Sequence, residues 1–191
     1  MTSQEDFIQK VIQKLNEQDI PYMLSGSFSS SLHGRPRATK DVDMVIAPTE
    51  EQVLNFIKNL GGSYYVSLAA VREAFAHHST FNVIDNESGW KVDFIIRKDR
   101  PFSHKEFQRR CVAKIKALNV WTTSPEDTIL SKLEWSKDSH SELQFSDALG
   151  VALVQWHRLD MDYLHKWAKE LQVVSSLETL LKQAKQLIEA E

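Results

Sequence analysis

The sequence predicts an α+β fold: an α/β half over residues 1–118, then an all-helical half over residues 119–191. Three observations predict it. Short strand-like runs (Tyr22–Ser25, Asp41–Ile46, Thr80–Ile84, Trp90–Ile96) alternate with helical periodicity in the first half. From Trp121 onward only helical spacing recurs. The chain of 191 residues, 42% of them hydrophobic, suits one compact domain or two small, tightly joined ones.

The elements follow in order. Phe7, Ile8, Val11, Ile12 and Leu15 recur at helical spacing until Pro21 breaks the pattern. Tyr22-Met23-Leu24-Ser25 reads as a buried strand ending at Gly26-Ser27, and Phe28 to His33 as a short helix stopped by Gly34. Asp41 to Ile46 alternates charged and apolar residues, which is strand periodicity. Thr49 and Gln52 form a capping-box pattern, so a helix runs from there to about Leu60 and stops at Gly61-Gly62. Leu68 to His77 reads as helix. Thr80–Ile84 and Trp90–Ile96 read as strands joined by the polar turn Asp85–Gly89. Ser124-Pro125-Glu126-Asp127 opens a helix with proline at its first position. A second helix carries Leu143, Ala148, Val151 and Val154, and a third starts near Asp160. A fourth opens on Ser175 and Glu178, another capping-box pattern.

Composition excludes several classes. The formal charge of −3 does not suit a non-specific polycationic nucleic-acid binder. The single cysteine, Cys111, allows no internal disulfide, which fits a reducing cytosol. Met1-Thr2-Ser3-Gln4-Glu5-Asp6 has neither a basic nor an apolar leader region, and no apolar run approaches the roughly 20 residues that span a bilayer. The expectation is a cytoplasmic protein that does not enter a membrane.

The chemistry lies in the acids. Asp41 and Asp43 sit at i and i+2, so on a strand both point to one face, about 6.5–7 Å apart along the chain, while Val42 and Met44 point into the core. A third acid, Asp93, lies inside the apolar run Trp90–Ile96, where a carboxylate is costly unless paired or metal-bound. An Asp-x-Asp pair alone is mostly a solvated strand face. Gly26-Ser27, where a strand meets a helix, adds to it: glycine lets a ligand approach the backbone, and the hydroxyl and helix amides suit phosphate. The competing reading of Ser27 is an ordinary helix cap.

The pattern is Gly-Ser, thirteen residues, Asp-x-Asp, then a later apolar-Asp-apolar. It resembles the nucleotidyltransferase superfamily that includes polymerase beta, aminoglycoside nucleotidyltransferases, CCA-adding enzymes and minimal nucleotidyltransferases. Ser25–Asp43, Ser124–Trp135 and Ser141–Asp147 are similar to segments of bacterial nucleotidyltransferases and abortive-infection type IV toxins. Serine stands in place of the second glycine of the commoner form. The resemblance implies a mixed β-sheet flanked by helices, with a C-terminal helical bundle. It implies Asp41, Asp43 and Asp93 as catalytic ligands of two Mg²⁺ ions, with Mn²⁺ as a substitute, and Gly26 and Ser27 under the triphosphate. It implies transfer of an NMP from an NTP to an acceptor hydroxyl, with a tRNA end, a protein or a small molecule all open as acceptor. The rival reading is a non-catalytic partner in a toxin–antitoxin-like pair that keeps the nucleotide-binding fold.

Supporting residues carry two readings each. Arg35 and Arg37 either touch phosphate, Arg37 the better candidate, or pair with Asp41 or Asp43 in the metal-free state. Lys132 lies in an apolar helix stretch, where burying an ammonium is costly; the resemblance implies a nucleotide-binding lysine there, against the alternative of an exposed stem lying over apolar surface. Asp147, with Leu143 and Val151 four residues either side, wants a cationic partner such as Lys132 or Arg37. Thr39 and His33 read as structural. Eight Lys/Arg against two acids lie between Arg97 and Lys116. A solvated helix with its loops is favoured there over a tRNA-binding ridge. Trp156, Trp167 and the late leucines read as helix packing that could extend to a homodimer or a protein partner.

Overall fold

Local signals place most of the elements. In a computed structural model that describes residues 3–115, 117–139 and 141–190, α1 (Gln4–Asn16) starts on a capping box in which Ser3 and Asp6 bond reciprocally. Met1, Thr2 and Lys116 of the sequence reading lie outside the described residues. β1 (Tyr22–Leu24), α2 (Gly26–His33) and β2 (Asp41–Ile46) follow. Thr49 and Gln52 then close the expected capping box on α3 (Glu50–Leu60). β3 (Tyr64–Tyr65), α4 (Leu68–His77), β4 (Thr80–Asp85), β5 (Lys91–Ile96) and α5 (Pro101–Gln108) come next. A hairpin, β6 (Cys111–Ile115) and β7 (Leu118–Thr122), precedes α6 (Pro125–Ser139), α7 (Glu142–Gln155), α8 (Met161–Glu170) and α9 (Val174–Ala190).

The strands form one mixed seven-stranded sheet in the order β3-β4-β5-β2-β1-β7-β6. β2 and β5 are parallel and so are β1 and β7, while the other neighbours are antiparallel. One face of the sheet buries Val42, Met44, Ile46, Val92, Phe94 and Ile96 against Phe7 and Leu15 of α1 and Phe56 of α3. The opposite face of β2 and β5 presents Asp41, Asp43 and Val45 beside Lys91, Asp93 and Ile95. The C-terminal helices form a second core around Ile129, Leu133, Val151, Leu164, Trp167 and Leu177, which Phe102 of α5 joins. This is the α+β fold expected, a mixed sheet with flanking and C-terminal helices.

Three details differ from the sequence reading. The segment 97–116, read as a helix with loops, holds α5 but also β6, the first strand of a hairpin whose second strand, β7, extends the sheet beside β1, with Leu24 paired to Thr122. Helix α2 starts at Gly26 with Ser25 at its cap position, so Ser27 lies inside the helix and is not its cap. Helix α9 starts at Val174, so Ser175 falls within its first turn and does not cap it. None of the described helices is long and apolar enough to cross a membrane.

Candidate active site

The parallel register of β2 and β5 sets Asp43 directly opposite Asp93 and Asp41 opposite Lys91. Since alternate residues share a face, these four side chains form a two-by-two patch on the sheet. Gly26 approaches from the end of β1. Its φ of +57° is a left-handed value, and a Cβ there would sit 2.0 Å from Asp43 Oδ2 and 2.7 Å from Asp43 Cγ. Only a glycine lets the chain turn this tightly over the carboxylate. Immediately after it, the Ser27 backbone amide favours the charged form of the Asp43 carboxyl.

Asp43 is held above the usual carboxylate range, first by burial and then by the charge of Asp93, with Lys132 and the Ser27 amide opposing the shift. Crowded acids of this kind want a cation. Asp93 is held from two sides: Asn82, opposite it on β4, donates its amide to Oδ1, and Lys91 Nζ lies 3.0 Å from Oδ2. Lys91 Nζ also reaches Asp41 Oδ1 at 3.4 Å. Partial burial works against the Lys91 charge, but Asp93 and then Asp41 raise its pKa. Asp41 is the most open of the three acids, with 55% of its side chain exposed against 18% for Asp93.

Two further cations close the other side. Lys132 on α6 is buried, and its ammonium lies 2.8 Å from Asp147 Oδ2, 2.7 Å from Gln144 Oε1 and 3.5 Å from Ser27 Oγ. Arg37 donates to both Asp147 oxygens, at 3.0 and 3.2 Å, and to Ser27 Oγ. Asp147 therefore has both of the cationic partners weighed for it. Burial pushes its carboxyl up, but the two hydrogen-bonded cations bring it below its ordinary value. Burial lowers the Lys132 pKa, and Asp147 resists that. The alternative of an exposed Lys132 stem does not hold, because only 4% of its side chain is accessible.

Several sequence alternatives are settled by these contacts. Lys91, which the sequence reading passed over, is the cation beside Asp41, and Arg37 turns instead to Asp147. Arg35 is exposed and packs beside Gly150. Thr39 donates to the Asp41 carbonyl at the strand end, and His33 Nε2 lies 2.7 Å from the Thr123 carbonyl. The arginines of the basic segment are engaged within the chain. Arg100 grips Glu134 at 2.6 Å, and Arg109 holds Glu126 and Asp127 and lies 3.8 Å above the Tyr163 ring. Arg97 and Arg110 stack on Phe107, and Arg110 also on Trp121. Lys98, Lys105 and Lys114 remain exposed. The signal for Lys91 was present, since it lies two residues before Asp93 on the same strand face. Asn82 and Gln144 carry no such signal.

A cleft of about 110 Å³ opens beside this patch at Asp43. Gly26, Asp43, Val45 and Ile95 lie on the sheet side, and Lys132 and Trp135 on the helix side. Its wall includes Glu106, whose carboxyl is pushed up to about 8 by burial and then by the Asp127 charge, while Ser131 Oγ donates to it at 2.9 Å. Its ordinary value is 4.5, so between that and about 8 the native state keeps a proton that the unfolded chain has released. Stability therefore falls as pH rises through this window. Glu106→Gln removes the loss: melting curves are expected to coincide with wild type near about pH 4. At about pH 9 the variant should be more stable by roughly 3–5 kcal/mol. Parallel curves at all pH values would show that Glu106 ionises freely.

The donor set suits a divalent cation of the magnesium type. Among the described residues no three His, Cys, Asp or Glu side chains form a ready-made metal cage. Mg²⁺ rarely uses one. It takes one or two carboxylates and completes its shell with water and substrate phosphates. Asp43 and Asp93, side by side with hard oxygens and Asp41 at their edge, fit that mode.

The model of a family described as a nucleotidyltransferase of unknown function (DUF6036) matches residues 5–186. No curated protein matches the chain. Among solved structures, an antigenic nucleotidyltransferase-like protein from Paracoccidioides brasiliensis superposes with a TM-score of 0.64 at 17% identity, over 96% of this chain and 89% of that one. ANT(2")-Ia in complex with adenylyl-2"-tobramycin gives 0.58 at 12% identity, over 87% and 95%. The lincosamide antibiotic adenylyltransferase LnuA with lincomycin bound gives 0.52 at 13% identity, over 79% and 98%. At these identities the likeness is one of fold.

Proposed function

The chain belongs to the nucleotidyltransferase family of unknown function DUF6036, and from that premise we propose that it moves a nucleoside monophosphate from an NTP to an acceptor hydroxyl, releasing pyrophosphate. The observation that carries this reading is the in-register pair Asp43 and Asp93, with Gly26 lying against Asp43 and Lys132 facing it.

Each residue has a task. Gly26 and the first amides of α2 admit the triphosphate close to the backbone. Lys132 and Arg37, already turned toward Ser27, balance its charge. Asp41, Asp43 and Asp93 would hold the metal, two Mg²⁺ ions with Mn²⁺ as a substitute. Such ions, when bound, neutralise charge on the phosphates and acidify the acceptor hydroxyl. The acceptor oxygen attacks the α-phosphorus as the bond to the bridging oxygen breaks, and Asp93 takes the hydroxyl proton. The protein contributes mainly position and fixed charge. The solved structures that concern antibiotics support a small-molecule hydroxyl as acceptor. A tRNA end is less well supported, because the arginines of the basic segment already have partners within the chain.

The test is heat unfolding with each NTP and Mg²⁺. At a ligand concentration about a hundredfold above Kd, linkage adds about 2.7 kcal/mol, or a rise of about 5–10 °C for a chain of this size. In Gly26→Ala the new methyl displaces the Asp43 carboxylate, and the rise is expected to vanish while the fold survives a local strain of roughly 1–2 kcal/mol. An equal rise in wild type and variant would remove Asp43 from the nucleotide site.

A further inference from the structure

Lys91 completes the acid patch in a way that the proposed transfer does not use. It lies opposite Asp41 across the parallel pair and two residues before Asp93 on the same face, and its ammonium bridges the two carboxylates at 3.4 and 3.0 Å. Asp93 Oδ1 already receives the Asn82 amide, so Lys91 occupies the other oxygen, Oδ2. Three carboxylates would otherwise face one another across two adjacent strands. We infer that Lys91 is a built-in counter-ion: it holds Asp41 and Asp93 in the metal-free protein and competes with the divalent ion for the same oxygens. The inference rests on the metal-binding reading above.

The physical argument is one of shared ligands. A divalent ion at Asp93 needs Oδ2, and it also repels an ammonium that stays within about 4 Å. Ion entry therefore requires Lys91 to swing off Asp93. With 31% of its side chain accessible and a flexible four-carbon stem, Lys91 has room to do so. A strongly hydrated lysine can yield in this way, whereas a forked guanidinium would hold the carboxylate more firmly. Solvent reaches both Lys91 and Asp41, so screening keeps the competition modest.

Mn²⁺ alone is the probe, with free Mn²⁺ followed by its paramagnetic resonance signal. Lys91→Met removes the charge and keeps the length, and is expected to bind Mn²⁺ on the order of tenfold more tightly than wild type. Its melting temperature without metal should fall, and Mn²⁺ should restore it, a rescue that loss of packing would not show. Lys91→Arg should bind no more tightly than wild type. Lys40→Met, at an exposed lysine beside Asp41 in the chain, controls for bulk charge and should change little. If Lys91→Met does not fold, Lys91→Gln carries the same test. Equal or weaker Mn²⁺ binding in a folded Lys91 variant overturns the counter-ion while leaving the metal site intact. Mn²⁺ binding that Asp43→Asn leaves unchanged, or none in any variant, instead overturns the metal-binding reading itself.

Discussion

Asp147→Ala is expected to destabilise the protein by about 3–5 kcal/mol, a fall in melting temperature of roughly 6–20 °C. The cause is what it leaves behind. Lys132 is almost wholly buried and would lose its carboxylate partner, the only one in hydrogen-bond range among the described residues, while Arg37 would lose both hydrogen bonds to the same group. Gln144 and Ser27 would remain near the Lys132 ammonium, but neither carries a charge. Removing one partner of a buried pair strands the other, which is why the effect exceeds that of a surface pair. The sign with pH follows. Burial already lowers the Lys132 pKa, so the native state gives up this proton more readily than the unfolded chain does. The penalty in Asp147→Ala should therefore shrink as pH rises and Lys132 becomes neutral. Lys132→Met in the same background should recover much of the stability. A loss below about 1 kcal/mol at neutral pH would mean that Lys132 finds water instead of Asp147.

The elements legible in the sequence are those with a strong local signal. The Thr49–Gln52 capping box and Pro125 at the start of α6 are read from neighbouring residues alone. So is the alternation of Asp41–Ile46, whose inward residues Val42, Met44 and Ile46 are all buried. The β6–β7 hairpin was not legible. Cys111–Ile115 lies at the end of a basic stretch and Leu118–Thr122 follows it; both are short, and they expose Val112 and Trp121 as a cross-strand pair. Five residues give each strand too short an alternation to read, and β7 is held in place by pairing with β1, far away in sequence. The same limit applies to the site. The three aspartates could be picked out as residues, but their neighbours could not. That Lys91 faces Asp41 and Asn82 faces Asp93 follows from the registers of β5 with β2 and with β4, and no local pattern states a register. Burial of Lys132 was inferable from its apolar helix neighbours. The meeting of Lys132, Arg37 and Asp147, from α6, the loop before β2 and α7, was legible only as a need of Asp147 for a cation.

Asp43→Asn is expected to lower nucleotidyl transfer by at least about a thousandfold. Asp43 sits at the centre of the patch, beneath Gly26 and opposite Asp93, so the neutral amide removes charge where the metal and the α-phosphate would meet. The fold should survive, because burial and the Asp93 charge already disfavour the ionised Asp43 carboxyl, and an amide relieves that. The direct measurement uses NTPs labelled at the α- or the γ-phosphate, incubated with Mg²⁺, the purified protein and a cell extract that supplies acceptors. The account predicts that wild type attaches the α-label to an acceptor and releases the γ-label as pyrophosphate, and that Asp43→Asn does neither while its melting curve stays cooperative. Transfer of the γ-label, or equal α-label transfer by wild type and Asp43→Asn, would contradict it.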